Sequence, residues 1–153
     1  MPINVSSVPT LPDHVNDVRL RTAELVNAEI LPREGVLWPQ RSGAEVTASQ
    51  RDEARTARED VKAKVRAAGL WAPHLPTEYG GMGLDFLSHA YMNEILAYAM
   101  GAASLFGVVA PNSGNQRILV KYGTEPGFCT WPMTETLRLF HSLTMTDTCG
   151  FLR

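Results

Sequence analysis

Between Glu94 and Arg117 the chain carries no charged side chain, and this run constrains the fold more than any other feature of the sequence. A membrane span needs about 20 mostly apolar residues in one continuous helix, because lipid offers the backbone no hydrogen-bond partners. Here Gly101, Gly107 and Pro111 interrupt the run, and Asn112, Ser113, Asn115 and Gln116 occupy its end. The apolar part is too short to span, so a buried core helix followed by a turn is expected, and no membrane span.

The 153 residues suffice for one domain with a core, since a chain of this size buries roughly 70% of its unfolded surface. They do not suffice for three. Charged residues make up 20% of the chain and the net charge is -2, which gives no long-range field to gather nucleic acid or an anionic membrane. Cys129 and Cys149 are too few and too far apart for a disulfide framework or a four-cysteine zinc site, and read as free thiols in a reducing compartment. Residues 1 to 12 have neither the basic start and apolar core of a secretory signal nor the arginines of a transit peptide, so a cytoplasmic protein is expected.

Helical periodicity dominates the first four-fifths of the chain. Thr10 is a candidate N-cap with Asp13 three residues on, followed by Leu11, Val15, Val18, Leu25 and Val26 near helical spacing until Pro32. Residues 33 to 47 lose the pattern and read as a connection with Trp38 and Pro39 packed down. Thr47 or Ser49 caps a second helix, with Ala54, Ala57, Val61, Val65 and Ala68 as its apolar stripe, basic and acidic residues on its wet face, and Gly69 as its stop. The prolines and glycines from Leu70 to Asp85 predict an ordered turn region in which Gly80 and Gly81 supply positive backbone torsions.

Asp85 can cap a third helix, expected to bury Leu87, Tyr91, Ile95 and Tyr98 on one face and Met92, Leu96 and Ala99 on its shoulder. A fourth helical run covers Ala102 to Ala110, and a fifth begins near Asn115 and stops at Gly123. The fold class is therefore mainly α, an orthogonal helical domain of four or five helices. Residues 126 to 153 change character and read as a short irregular or weakly β tail.

Little of the chain suggests chemistry by itself. Gly80-Gly81-Met82-Gly83 follows no apolar strand and has the wrong spacing for a dinucleotide loop, so it is a turn. His14, His74, His89 and His141 are scattered, without carboxylates or cysteines at ligand spacing, and no metal site is expected. Glu94 on an apolar helix must be paired or at a rim, and an ion pair with an arginine is favoured over a general base. The break Ala110-Pro111-Asn112-Ser113-Gly114-Asn115 is the better site candidate, because small polar residues after a proline expose backbone groups, and Phe106, Val108 and Val109 beside it can line an apolar slot.

Gly69-Leu70-Trp71, the run Leu75-Pro76-Thr77-Glu78-Tyr79-Gly80-Gly81-Met82-Gly83-Leu84-Asp85, the break at 110 to 115, and Tyr122-Gly123-Thr124-Glu125 occur in the order found in acyl-CoA dehydrogenases. Residues 1 to 125 thus resemble the N-terminal helical domain of that family. The resemblance implies FAD as cofactor, acyl-CoA as substrate and an electron-transfer flavoprotein as partner, and leaves a homo-oligomer open. In the family a carboxylate removes the α-proton of the thioester while flavin N5 takes the β-hydride. That carboxylate and most FAD contacts come from middle and C-terminal domains that a chain of this length does not hold, so no catalytic residue is expected here and FAD is not expected to be retained.

By the same resemblance Val108, Val109, Ala110, Ser113 and Gly114 would lie along the acyl chain. After Glu125 the family continues with Gln, Lys and a Trp-Leu pair, whereas this chain has Pro126-Gly127. Met133-Thr134-Glu135 resembles the flavin-contacting Met-Thr-Glu-Pro of the middle domain, with Thr136 in place of proline, which makes Thr134 the cofactor-binding candidate and residues 126 to 153 a vestige of the start of the β-domain. The alternative is a non-catalytic interaction module that uses an uncovered apolar helical face.

Overall fold

In the computed structural model, which describes residues 2–43, 45–109 and 112–122, Pro12 and not Thr10 precedes the first helix, α1 (Asp13–Leu25). No side chain caps this helix; the Pro12 carbonyl accepts from the Val15 and Asn16 N–H groups, and the fixed proline torsion directs the chain into the first turn. One face of α1 buries Val15, Val18, Thr22 and Ala23. The helix then widens into a π-turn (Val26–Ile30) that keeps Val26 and Ile30 both fully buried, and tightens into a 3-10 turn (Leu31–Arg33) at Pro32.

The segment before α1 is strapped to it by two asparagines. Asn27 accepts from the Ile3 N–H at 2.7 Å and donates to its carbonyl at 2.8 Å, and Asn16 makes the same paired contact with Val8 at 2.8 and 3.0 Å.

The expected connection from Arg33 to Thr47 contains a one-turn helix, α2 (Glu34–Leu37), and a 3-10 turn (Pro39–Ser42). Leu37 is fully buried, and Trp38 packs against the core as the sequence suggested. α3 (Ala48–Ala67) opens on a full capping box: Gln50 N–H donates to the Thr47 hydroxyl while the Gln50 side chain accepts from Thr47 N–H. Its stripe of Ala54, Ala57, Val61 and Val65 is buried, and Gly69 leaves the helix with φ +68°.

Outside this stripe Glu29, Arg33, Asp60 and Lys64 form a connected set of ion pairs, with Arg33 to Asp60 at 2.8 Å and Lys64 to Glu29 at 2.6 Å. The Arg33 hydrogen bond holds the Asp60 carboxyl below its usual range. These partly exposed pairs orient the π-turn and the 3-10 turn against α3 more than they stabilise the fold.

The turn region is ordered by one strained residue. Ala72 is fully buried with φ +46°, which a Cβ disfavours. It is held there because its N–H donates to the Phe106 carbonyl at 2.9 Å and its own carbonyl accepts from Leu75 N–H at 3.0 Å. Gly80 takes the expected positive torsion (φ +77°), but Gly81 does not: it is required for space, since a Cβ there would meet Leu75 backbone and side-chain atoms at 2.3 to 2.7 Å.

Asp85 caps α4 (Phe86–Leu96) by accepting from Ser88 N–H at 2.7 Å. The buried face differs from expectation. Ser88, Met92, Ile95, Leu96 and Ala99 face the core, whereas Leu87 is 58% and Tyr98 65% exposed, and Phe86 is 89% exposed. α4 is apolar nearly all round, so periodicity does not choose the inward side; its packing on α1 does. Glu94 is exposed at the rim and makes no ion pair among the described residues, so the expected pairing with an arginine is corrected.

The fourth run is shorter than its apolar character implied. α5 (Ala102–Leu105) ends at Phe106, and Gly107 follows with φ +75°. α6 (Asn112–Tyr122) begins three residues earlier than expected, the Ser113 N–H closing on the Val109 carbonyl at 3.3 Å. The described residues are thus mainly helical and hold no strand. The tail from Pro126 and the boundary at Glu125 lie outside them.

Candidate functional site

The turn between α4 and α5 sits on Trp38. Gly101 has φ +68°, and a Cβ there would meet the Trp38 ring at 2.4 Å, so only glycine lets the backbone lie on the indole. Arg58 covers that ring at 5.0 Å, and Glu34 accepts from Met100 N–H at 3.0 Å. The turn is thereby fixed to α2 and α3. The Ser104 hydroxyl donates to the Gly101 carbonyl at 2.6 Å, and Val108 N–H returns to the Ala103 carbonyl at 2.9 Å.

The result is an open groove of about 380 Å³ lined by Asn93, Leu96, Ala97, Ala99, Gly101, Ala103 and Val108. Asn93 supplies the polar side chain in that lining; the rest is apolar or glycine. Small side chains along one wall make room for a slender apolar ligand, and nothing charged lies among them to fix a head group.

The sequence candidates separate into those near this groove and those apart from it. Val108 lines it, and Val109, the next residue, is exposed and does not line it. Phe106 does not line a slot: it is fully buried in the core, with its carbonyl engaged by Ala72. Ser113 is half-buried on the first turn of α6 and linked to Val109, while Gly114 is exposed with open space around its Cβ position. Ala110 and Thr134 lie outside the described residues.

A second constellation was not legible in the sequence. His74, from the turn after α3, and His89, from α4, stack with ring centroids 5.9 Å apart and planes 27° apart. His74 Nε2 lies 2.8 Å from Gln116 Oε1 on α6. Burial pushes both imidazoles below their ordinary pKa, with Arg117 acting in the same direction on each and the Gln116 hydrogen bond opposing it at His74. His74 Nδ1, His89 Nε2 and Asn115 Nδ2 are buried without a partner among the described residues. Nothing in the spacing of residues 74, 89 and 116 signals this meeting. Among the described residues no group of three or more histidine, cysteine or carboxylate side chains could hold a metal.

The described concavities do not fit FAD. The groove beside Val108 offers no cation or donor cluster for a pyrophosphate, and a groove of about 360 Å³ on α1 is lined by Asp13 and Asp17, which oppose one. No reaction step is assigned to the cofactor in this domain.

Residues 39–126 match the family described as acyl-CoA dehydrogenase, N-terminal domain. The match covers more than half of the chain, and the chain belongs to that family. Acyl-CoA dehydrogenase family member 10 of Mus musculus is 38% identical over 78 residues, which are 48% of this chain and 7% of the relative. The chain therefore spans a small fraction of that relative's length. No solved structure matches it. No helix among the described residues is long and apolar enough to cross a membrane.

Proposed function

We propose that residues 1–125 form the helical wall of the acyl-chain site of an FAD-dependent acyl-CoA dehydrogenase, which oxidises the Cα–Cβ bond of acyl-CoA thioesters. The observation that carries this reading is the apolar groove ending at Val108, inside the stretch matched to the family. Val108, Val109 and Ala110 supply apolar contact to the chain, while Ser113 and Gly114, on the first turn of α6, leave its far end room. This domain excludes water from the alkyl part and so helps hold the reacting carbons in place. The base, FAD with Thr134 as its contact in this chain, and the electron-transfer flavoprotein act with the parts of the enzyme beyond this wall, and the chain by itself is inactive.

The test is a chimera that joins residues 1–125 to the remaining domains of a family enzyme. Acyl-CoA oxidation by the flavin-loaded chimera is expected. A folded chimera that carries flavin yet oxidises no acyl-CoA sinks the proposal.

A second reading has its own observation. Phe86 and Leu87 lie exposed on the first turn of α4, and Tyr98 and Met100 lie exposed in the turn after it, large apolar side chains suited to another subunit or an amphipathic helix. On this reading the chain is a non-catalytic interaction module. A strictly monomeric chain that also binds no amphipathic peptide excludes it.

A further inference from the structure

Gln116 and Leu119 are the buried side chains described on α6, and Val120 packs partly buried against the core, so few side chains carry its seating. The polar contact runs to His74, which is 9% exposed. An amide oxygen only accepts, so the His74 proton resides on Nε2 and its Nδ1 is a bare lone pair. His89 stacks on this ring, and its buried Nε2 also lacks a partner among the described residues.

Both rings are therefore accommodated as neutral groups. A proton added to His74 creates a buried cation, and one added to Nε2 of the half-buried His89 places charge beside the other ring, with Arg117 the charged group acting on both. Among the described residues no carboxylate acts on either ring. Asp85, one turn before His89, accepts from Ser88 N–H, and the imidazole that acts on it is His14. A buried cation without a counter-charge is relieved most easily by moving the element held least firmly, which is α6.

We propose that His74 and His89 form a proton-operated latch, closed when both rings are neutral and opened by acid, that releases α6 from the turn around His74 while the α1, α3 and α4 core stays folded. The inference does not rest on the acyl-chain reading, although α6 carries Ser113 and Gly114 and its release would open that end of the wall. The latch acts in the pH range in which histidine titrates, well above that of the carboxylates.

Hydrogen exchange of the full chain at pH 7.5 and 5.5, expressed as protection factors so that intrinsic exchange cancels, tests the latch. Protection across residues 112–122 is expected to fall at least tenfold at the lower pH, while residues 54–66 of α3 lose less. In the His74→Gln/His89→Gln variant, where residue 74 retains an amide donor toward Gln116 but neither site titrates, protection of 112–122 is expected to be the same at both values. An unchanged wild type, an equal loss in α3, or the same acid loss in the double variant each overturns the latch. Should the double variant already lack protection at pH 7.5, His89→Gln decides: a smaller acid loss than wild type supports the latch, and an equal one overturns it.

Discussion

The indole of Trp71 lies so close to Gly107 that a Cβ built on the glycine would sit 3.0 Å from Cζ2, and the Arg66 guanidinium stands 4.2 Å from the ring's centre. Trp71 belongs to the buried core and cannot retreat. Gly107 also has φ +75°, so Gly107→Ala meets steric and torsional resistance together. The expected loss is about 1–3 kcal/mol, read as a lower urea midpoint with an unchanged slope. An unmoved midpoint would show that the Trp71 turn yields freely.

The strap formed by Asn27 is a second point of leverage. Asn27→Ala removes both hydrogen bonds to Ile3 and leaves partly buried backbone groups unsatisfied. A loss of about 1–3 kcal/mol is expected, together with faster proteolysis before residue 12. Cleavage at the wild-type rate would mean that Asn16 suffices to hold the segment.

Val108 tests the wall itself. In the chimera, Val108→Trp should fill the end of the groove and lower kcat/KM for the longest acyl-CoA substrates about tenfold or more, with short substrates little affected. Equal loss for all lengths would point to misfolding, and no loss would place the acyl chain elsewhere.

The whole domain should weaken in mild acid. Burial lowers the folded-state pKa of His74 and His89 below the ordinary 6.5, so the unfolded chain binds more protons wherever the pH lies under that value. Stability contributed by these rings is complete above 6.5 and is lost as the pH falls through the lowered values, with a slope of at most about 1.4 kcal/mol per pH unit and histidine. Asp60 and Asp85, lowered from 3.8, add a loss only in stronger acid. Urea midpoints measured between pH 8 and 5 check this, and a flat profile would show that the imidazoles are solvated.

Local chemistry explains which features the sequence disclosed. Thr47 with Gln50, Asp85 with Ser88, and Gly69 at a helix end each act within four residues, so the caps and the helical class follow from the chain alone. The same holds for the family motifs between Leu75 and Asp85. The inward side of α4 was decided by α1, because Leu87 and Met92 are equally apolar and only packing distinguishes them. Gly81 needs Leu75, Gly101 needs Trp38, and His74 needs both His89 and Gln116; each is a contact between positions whose separation carries no periodic signal. The sequence by itself determined the helical class, the capped starts of α3 and α4 and the family, whereas the groove beside Val108 and the buried histidine pair exist only once tertiary packing closes the distances between them.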